Sequence, residues 1–461
     1  MDWILLAIST TCFVCLFIHF GIFSRAEKLF KNFYKVSEII RSNHISDHWK
    51  EKVLPHYSLQ LFTQSLIIFT LLLISFSPFA FCLLISILIN SQFAMLASSL
   101  KGMAVSSCLA IFLAMLLSVK PKKKDYSVTS RVLHQIILGN SLLGEVLFDI
   151  EKFFFGSNTS NISAGKHVFI AGLARSGTTI LMRTLYKYGE FCSLTYNDMP
   201  FILAPNTWRA VSKFSKQKRE KKERAHGDGL KVDYDSPEAF EEVFWRTFCG
   251  SEYIKKDHLI PMTANNETII KFRSFISIVL KNKSNKSYLS KNNNNILRLK
   301  TIYRSFPEAL ILIPFREPLQ HAFSLRKQHK NFLNTNEPFT KKYMTWLSHH
   351  EFGPDHRPFI FDKKINNKED KEKLNYWLKF WIRTYSYILE NPPPQAIFIS
   401  YERLCNDTKN IWEKLSERID LEPYNDKILF SESINIINEP LPDKLKLEAT
   451  KLYTKLTNIA L

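Results

Sequence analysis

Residues 167–179 carry the clearest chemical signal in the sequence. An apolar strand is predicted at its start and leads into two glycines, Gly172 and Gly177, with a helix predicted to open directly after them. Such a loop points its backbone N–H groups and a helix N-terminus at an anion. Three hydroxyl side chains can add further donors: Ser176, Thr178 and Thr179. The pattern therefore predicts an anion-binding loop, with an ordinary glycine turn before a helix as the alternative.

The cation of this loop is an arginine in an unusual place. A nucleotide-binding P-loop carries a lysine directly after its second glycine. Here Thr178 occupies that position, and Arg175 lies two residues before Gly177. An ATPase or GTPase of the usual kind is therefore disfavoured, although the loop remains suited to a phosphorylated ligand.

Three stretches of the chain together resemble the sulfotransferase family. The run Arg175-Ser-Gly-Thr-Thr179 matches the family's loop of Lys or Arg followed by Ser-Gly-Thr-Thr. Arg316 follows a predicted strand and precedes a Glu-Pro turn, with Ser324 eight residues later, as in the family's second motif. Tyr401 follows another predicted strand in a Tyr-Glu-x-Leu run. The Arg form of the loop is closest in style to tyrosylprotein sulfotransferases and related bacterial branches.

This resemblance, which covers about residues 166–420, implies a fold, a donor and a binding site. The fold is α/β, a P-loop-like parallel sheet flanked by helices. The donor is 3′-phosphoadenosine-5′-phosphosulfate, and no metal is needed. The implied contacts are the 5′-phosphosulfate with Arg175, Ser176, Gly177, Thr178 and Thr179, the 3′-phosphate with Arg316 and Ser324, and the adenine with Tyr401. A guanidinium and a hydroxyl converging on one phosphate are chemically suited to it.

Sulfuryl transfer also needs two catalytic functions. Negative charge on the leaving phosphate must be stabilised, which suits Arg175, and a base must take the proton of the acceptor. Asp198, after a predicted strand over 191–196, is the favoured base. The alternatives are Glu190, His226 and His258.

Residues 1–119 have the composition of a membrane region. Three spans are predicted near 3–23, 66–89 and 102–119, and a fourth arises if the long apolar run is divided at Pro78. The predicted organisation is a membrane region over 1–125, a juxtamembrane helix and linker over 126–165, and a catalytic domain over 166–461.

Basic residues predict the orientation of these spans. Lysines and arginines follow the first and the third span, so both flanks and the catalytic domain are expected in the cytoplasm, at a bacterial inner membrane. The net charge of +19 agrees with an anionic partner. Nucleic acid is disfavoured because no nucleic-acid motif accompanies that charge. The acceptor is unknown, and a lipid-linked or envelope-glycan precursor fits the membrane tether.

Two functions of other classes stay open at this point. A membrane-tethered small-molecule kinase would bind ATP with Mg²⁺, whereas a sulfotransferase would bind the sulfate donor or adenosine 3′,5′-bisphosphate without metal. A non-catalytic scaffold would bind neither nucleotide, so neither would raise its thermal midpoint.

Overall fold

The computed structural model divides the chain into two compact units, Met1–Arg131 and Val132–Leu461. The structure describes residues 2–22, 25–26, 28–29, 32–33, 36, 40, 47–89, 91–117, 128–156, 165–212, 222–223, 231–232, 235–281, 286–334, 338–362, 369–421, 430–432 and 434–461. The predicted candidate base His226 lies outside these residues.

The N-terminal unit consists of helices. They are α1 (Asp2–His19), α2 (Asp47–Leu88), α3 (Phe93–Ser98) and α4 (Leu100–Leu117). Helix α1 packs against α2 and α4, and Leu6, Cys82 and Phe93 form a small buried cluster. Most other apolar side chains of α2 are exposed, among them Phe62, Leu73 and Phe81. A helix that is apolar around its whole circumference is typical of a lipid environment.

Within the described residues, two helical segments are long and apolar enough to cross a membrane, Asp2–His19 and Val53–Leu88. The first corresponds to the first predicted span. The second is one helix that continues through Pro78, the point at which the alternative prediction divides it. The third predicted span overlaps α4, and its last two residues lie outside the described residues.

A five-stranded parallel sheet forms the centre of the C-terminal unit. Its strands are β1 (Val168–Ile170), β2 (Phe191–Cys192), β5 (Ser287–Lys291), β6 (Leu310–Phe315) and β7 (Ala396–Ser400), in the order β2-β5-β1-β6-β7. A separate two-stranded ladder joins β3 (Lys222–Glu223) to β4 (Lys231–Val232). The predicted fold class, a parallel sheet flanked by helices, is confirmed.

Both faces of the sheet are buried, which explains why its strands are continuously apolar. Phe169 and Ile311 belong to the larger core cluster, while Val168, Ile170 and Leu312 belong to a second cluster on the other face. The following helices, all but α8 of which contribute buried residues to the two clusters, accompany the sheet: α7 (Thr178–Lys187), α8 (Pro205–Ser212), α9 (Glu242–Tyr253), α10 (Asn266–Leu280), α11 (Leu299–Ser305), α12 (Pro318–Leu333), α13 (Pro338–Trp346), α14 (Leu374–Glu390), α15 (Tyr401–Asn406), α16 (Thr408–Ile419) and α17 (Asp443–Ile459).

The two helices before the sheet, α5 (Val128–Gly139) and α6 (Ser141–Phe155), lie in the part of the segment predicted as a juxtamembrane helix. Residues 157–164 of the predicted linker lie outside the described residues. Phe148 of α6 is fully buried against Phe244 and Phe248. Glu151 is also fully buried and accepts hydrogen bonds from the backbone N–H groups of Asn206, at 2.6 Å, and Thr207. A carboxylate at the N-terminus of α8 is favourably placed toward the helix dipole. Helix α6 therefore packs as part of the C-terminal unit.

A buried polar network fixes the chain just beyond β5. Glu242 forms an ion pair with Arg298 at 2.8 Å, and both side chains are fully enclosed. Glu242 also accepts hydrogen bonds from Asn294, at 2.9 Å, and from Asn292 and Tyr253. Burial opposes the charge of Arg298, but Glu242 outweighs it and raises the pKa of the guanidinium. The network therefore holds a charged pair inside the protein.

We expect Arg298→Ala to lower the free energy of unfolding by about 3–5 kcal/mol, because it leaves Glu242 buried without its counter-charge. The measurement is a urea titration of the full chain in detergent, followed by tryptophan fluorescence. Lys271→Ala is the control, since it removes an ion pair to the exposed Glu267 and should change stability little. Equal effects of the two substitutions would contradict this account of the network.

Candidate functional site

The loop between β1 and α7 has the backbone of an anion-binding turn. Gly177 has φ +91°, and Arg175 has φ +70°, a left-handed conformation that few non-glycine residues adopt. The buried Ser176 donates its hydroxyl hydrogen to the carbonyl oxygen of Leu173 at 2.7 Å. This bond closes the turn, so the Ser176 hydroxyl supports the loop from within.

Both glycines of the loop are required by close approach. A Cβ at Gly172 would lie 2.8 Å from Oγ of Ser176 and 2.9 Å from the carbonyl oxygen of Pro314 on β6. A Cβ at Gly177 would lie 2.5 Å from the ring of Tyr401. The loop is therefore held between β6 and the start of α15, and the aromatic ring lies directly beside its second glycine.

The predicted phosphate-binding residues meet at this loop. Nε of Arg175 donates to Oγ of Ser324 on α12 at 3.2 Å. The guanidinium of Arg316 reaches the carbonyl oxygen of Arg175 at 3.5 Å and lies 5.3 Å from the centre of the Tyr401 ring. Four residues from three separate parts of the sequence thus form one cluster, Arg175, Arg316, Ser324 and Tyr401, called the arginine cluster below.

Acidic and neutral groups surround the arginine cluster. Nε of Arg316 lies 3.9 Å from Oε1 of Glu402, which also accepts the backbone N–H of Glu317 at 2.8 Å. Burial raises the pKa of Glu317. Burial also lowers the pKa of His321 to about 3, so its ring is neutral near pH 7 and donates from Nε2 to the carbonyl oxygen of Ala174 at 2.8 Å. In this set of contacts, Arg175 and Arg316 therefore supply the positive charge at the loop.

The C-terminal segment contacts the same elements. The hydroxyl of Tyr401 donates to the carbonyl oxygen of Ser431 at 3.1 Å. Gln320 and Asn435 form reciprocal hydrogen bonds of 2.9 and 2.8 Å, and Arg326 forms an ion pair with Glu439. Both Gln320 and Arg326 lie on α12, on either side of Ser324. Sequence reasoning assigned no role to this segment, because its link to α12 is made by isolated polar side chains without a motif.

A model of the sulfotransferase family matches residues 167–426, which includes β1, the loop, Arg316, Ser324 and Tyr401. The chain belongs to the sulfotransferase family. No protein of curated function matches it significantly.

Solved structures of bacterial sulfotransferases are also similar. Sulfotransferase STF1 of Mycobacterium tuberculosis has 12% identity and a TM-score of 0.39, with 75% of this chain and 85% of that chain covered. Sulfotransferase STF9 of Mycobacterium avium has 12% identity and a TM-score of 0.39, with 75% and 81% covered. A sulfotransferase of Alicyclobacillus acidocaldarius has 13% identity and a TM-score of 0.29, with 64% and 94% covered.

A lysine that sequence reasoning missed lies beside the loop of this sulfotransferase. Lys291 ends β5, in register with Ile170 of β1, so it lies at the edge of the sheet from which the loop after β1 departs. Its ammonium is buried and lies 3.3 Å from Oε1 of the buried Glu238. The sequence shows this lysine, but it does not show that the strand of Lys291 lies next to β1. That strand order is what makes the lysine informative.

Neighbouring donors outside the arginine cluster bind the carboxylate of Asp198. It follows β2 and is fully buried. Its Oδ2 accepts the backbone N–H of Thr195 at 2.9 Å, and its Oδ1 accepts Nε of Arg209 at 2.8 Å. Both oxygens therefore have donors outside the arginine cluster. Its role as the base stays a prediction.

The described alternatives to Asp198 lie elsewhere. Glu190 directly precedes β2, and because all five strands are parallel, it lies at the edge of the sheet opposite the loop that follows β1. His258 is hydrogen-bonded through Nδ1 to the neighbouring Asp257 at 2.7 Å, between α9 and α10. The position of Glu190 and the hydrogen bond of His258 therefore do not connect these residues to the arginine cluster.

Gly177 and Gly189 of this sulfotransferase have similar positive φ angles but different surroundings. Substituting each by alanine therefore distinguishes steric crowding from backbone strain. Gly189→Ala should lose stability through its φ of +86° alone, since nothing lies within 4 Å of its added Cβ. Gly177→Ala should lose roughly 1–3 kcal/mol more, because its Cβ must displace Tyr401. Hydrogen exchange of residues 171–177 should increase only in Gly177→Ala. Equal destabilisation and unchanged exchange would contradict the close packing of the ring on the loop.

Proposed function

We propose that this sulfotransferase moves the sulfuryl group of 3′-phosphoadenosine-5′-phosphosulfate to an acceptor hydroxyl or amine. The observation that carries the proposal is the convergence of the loop over 171–177, the proposed phosphate loop, with Arg316 and Ser324. The donor has two phosphate positions, and two sets of groups suited to phosphate lie together here, linked by the 3.2 Å contact between Arg175 and Ser324.

The 5′-phosphosulfate would lie on the loop over 171–177 and on the N-terminus of α7. Backbone N–H groups of Gly177, Thr178 and Thr179 are suited to its oxygens, and the positive end of the helix dipole favours its charge. The close approach that excludes a Cβ at Gly177 lets the Tyr401 ring pack directly against this loop.

The 3′-phosphate would be bound by Arg316 and Ser324. Arg316 is 8% exposed and already oriented by Glu402 and by the face of Tyr401, so little side-chain freedom is lost on binding. The Tyr401 ring is proposed to lie near the adenine. Its position beside Gly177 suits this role, since the adenine and the 5′-phosphate are joined through one ribose.

Arg175 is proposed to stabilise the leaving group. When the bond between sulfur and the bridging oxygen breaks, negative charge develops on the 5′-phosphate, and a guanidinium beside it lowers the barrier. Lys291 could supply a second positive charge from the neighbouring strand. These residues act on the donor. A separate base must take the proton of the acceptor.

A membrane location is proposed on the cytoplasmic side of a bacterial inner membrane, with the apolar N-terminal helices as the anchor. An exposed apolar stripe on α6 supports a lipid-facing position for the C-terminal unit. The stripe consists of Leu142, Val146, Ile150 and Phe153, which recur at the spacing of one helix face. A lipid-linked or envelope-glycan precursor is the acceptor class that fits such a location.

The 3′-phosphate assignment can be tested with two nucleotides. Arg316→Ala should weaken binding of adenosine 3′,5′-bisphosphate by on the order of 1.5–3 kcal/mol, because a charge-assisted contact is lost. Binding of adenosine 5′-phosphate, which lacks the 3′-phosphate, should change little. Calorimetry on the full chain in detergent measures both. Equal losses for the two nucleotides would make Arg316 a structural residue.

The role of Arg175 is tested by kinetics beside binding. Arg175→Ala should lower turnover by roughly a hundredfold or more, with a smaller loss of affinity for adenosine 3′,5′-bisphosphate, since the charge it stabilises is largest in the transition state. Arg175→Lys should recover part of the rate. Lys187→Ala, at the other end of α7, is the control. If Arg175→Ala lost affinity alone and kept its turnover at saturation, Arg175 would bind the donor without acting in the chemistry.

A further inference from the structure

The loop between α13 and α14 contains a concentration of histidines and acids that the proposed function does not use. They are His349, His350, Glu351, Asp355 and His356. Ser348, at the start of this loop, is fully buried with φ +50°. A non-glycine residue in a left-handed conformation is strained, and such strain is frequently found at functional sites.

Two asparagines attach this loop to the carboxyl end of β5. Nδ2 of Asn293 donates to Oε1 of Glu351 at 2.7 Å, and Nδ2 of Asn294 donates to the carbonyl oxygen of Ser348 at 3.4 Å. The preceding residue, Asn292, donates its backbone N–H to the carbonyl oxygen of Ile170 at 3.2 Å. Ile170 is the last residue of β1, so the loop is fixed beside the point where the phosphate loop begins.

The other side of the loop is attached to the helix that holds Ser324. The backbone N–H of Gly353 donates to Nδ1 of His329 on α12 at 3.1 Å. Gly353 has φ +79° and lies against Phe332 of the same helix. The loop over 348–353 is therefore joined both to the strand beside the phosphate loop and to the helix of the proposed 3′-phosphate site.

A histidine and a glutamate are paired within this loop. Nδ1 of His349 lies 3.4 Å from Oε1 of Glu351, and both side chains are largely buried. Burial opposes the charge of Glu351, but its contacts with His349 and Asn293 outweigh that effect and lower the pKa of the carboxyl group. An ionised carboxylate at Nδ1 orients an imidazole so that Nε2 can accept a proton. The distance is long for a hydrogen bond, as catalytic pairs often are before a substrate binds.

We propose that His349 is the general base of the reaction and that Glu351 is its positioning residue. The acceptor oxygen forms a bond to sulfur, and its proton moves to Nε2 of His349. The bond from sulfur to the bridging oxygen breaks, and its electron pair leaves with adenosine 3′,5′-bisphosphate. His349 then releases the proton to solvent.

The assignment rests on the proposed function and differs from the sequence-based candidate Asp198. Asp198 already accepts hydrogen bonds from Thr195 and Arg209, so both of its oxygens are directed at these groups. Burial lowers the pKa of two other histidines of this region, His356 to about 3 and His329 to about 4, which makes them poor proton acceptors near pH 7.

The chain supplies a matched control one residue away. His350 pairs through Nδ1 with Oδ2 of Asp355 at 2.8 Å, so the same two residue types form a second pair in the same loop. Asn293 does not bind that pair. We therefore expect His350→Ala and Asp355→Asn to keep turnover near that of the unmodified chain, while His349→Ala lowers it by roughly 10²–10⁴-fold.

The experiment uses the full chain in detergent with ³⁵S-labelled donor and a total lipid extract of bacterial inner membranes as acceptor. Calorimetry with adenosine 3′,5′-bisphosphate and the thermal midpoint are measured on each variant. His349→Ala should keep nucleotide affinity and recover part of its turnover with added imidazole, which can enter the space left by the side chain. Glu351→Gln should lower turnover with unchanged nucleotide affinity and show no recovery. His349→Gln, which nearly preserves volume, replaces His349→Ala if the latter does not fold.

Three results would overturn the assignment. They are full turnover in His349→Gln, an equal loss in His350→Ala, or a loss of nucleotide affinity that accounts for the whole effect in His349→Ala. A large loss of turnover in Asp198→Asn together with full turnover in Glu351→Gln would return the role to Asp198. Failure of the proposed function itself looks different, because the unmodified chain would then bind no adenosine 3′,5′-bisphosphate and label no lipid.

Discussion

The site depends on how closely the backbone of one loop approaches its neighbours. Gly172 lies against the carbonyl of Pro314 on β6, and Gly177 lies against the ring of Tyr401 after β7. These two approaches bring the ends of three strands together, and the guanidinium of Arg316 packs over the same ring. A side chain at either glycine would separate the loop from a strand, so the arrangement of the arginine cluster follows from the absence of two Cβ atoms.

The opposite side of the loop depends on buried polar groups. Glu242 and Arg298 neutralise each other inside the core, and the asparagines beside them tie the end of β5 to this pair. Asn293 and Asn294 then hold the loop of His349. The asparagine run, which could be mistaken for a low-complexity tract, joins the interior of the protein to its candidate catalytic residues.

Much of the donor side could be predicted from the sequence, because its motifs are local. The helix over Thr178–Lys187, the strand over Ala396–Ser400 and the grouping of Arg175, Arg316, Ser324 and Tyr401 follow from short patterns. The contacts of Asp198 with Arg209, and those of Lys291 and Glu351, arise between elements distant in the sequence. A pattern within one element carries no information on such partners, so the acceptor side could not be predicted.

The register of β1 has a consequence for synthesis. Val168 pairs with Leu289 on one side and with Leu310 on the other, so neither neighbour of β1 is within a hundred residues of it. At a typical translation rate of about 5–20 residues per second, roughly 6–24 s pass between the emergence of β1 and that of β5, its first partner. During this interval the apolar residues of β1 have no sheet to join. The strand that leads into the candidate site is thus exposed to aggregation during synthesis until its first partner strand has emerged.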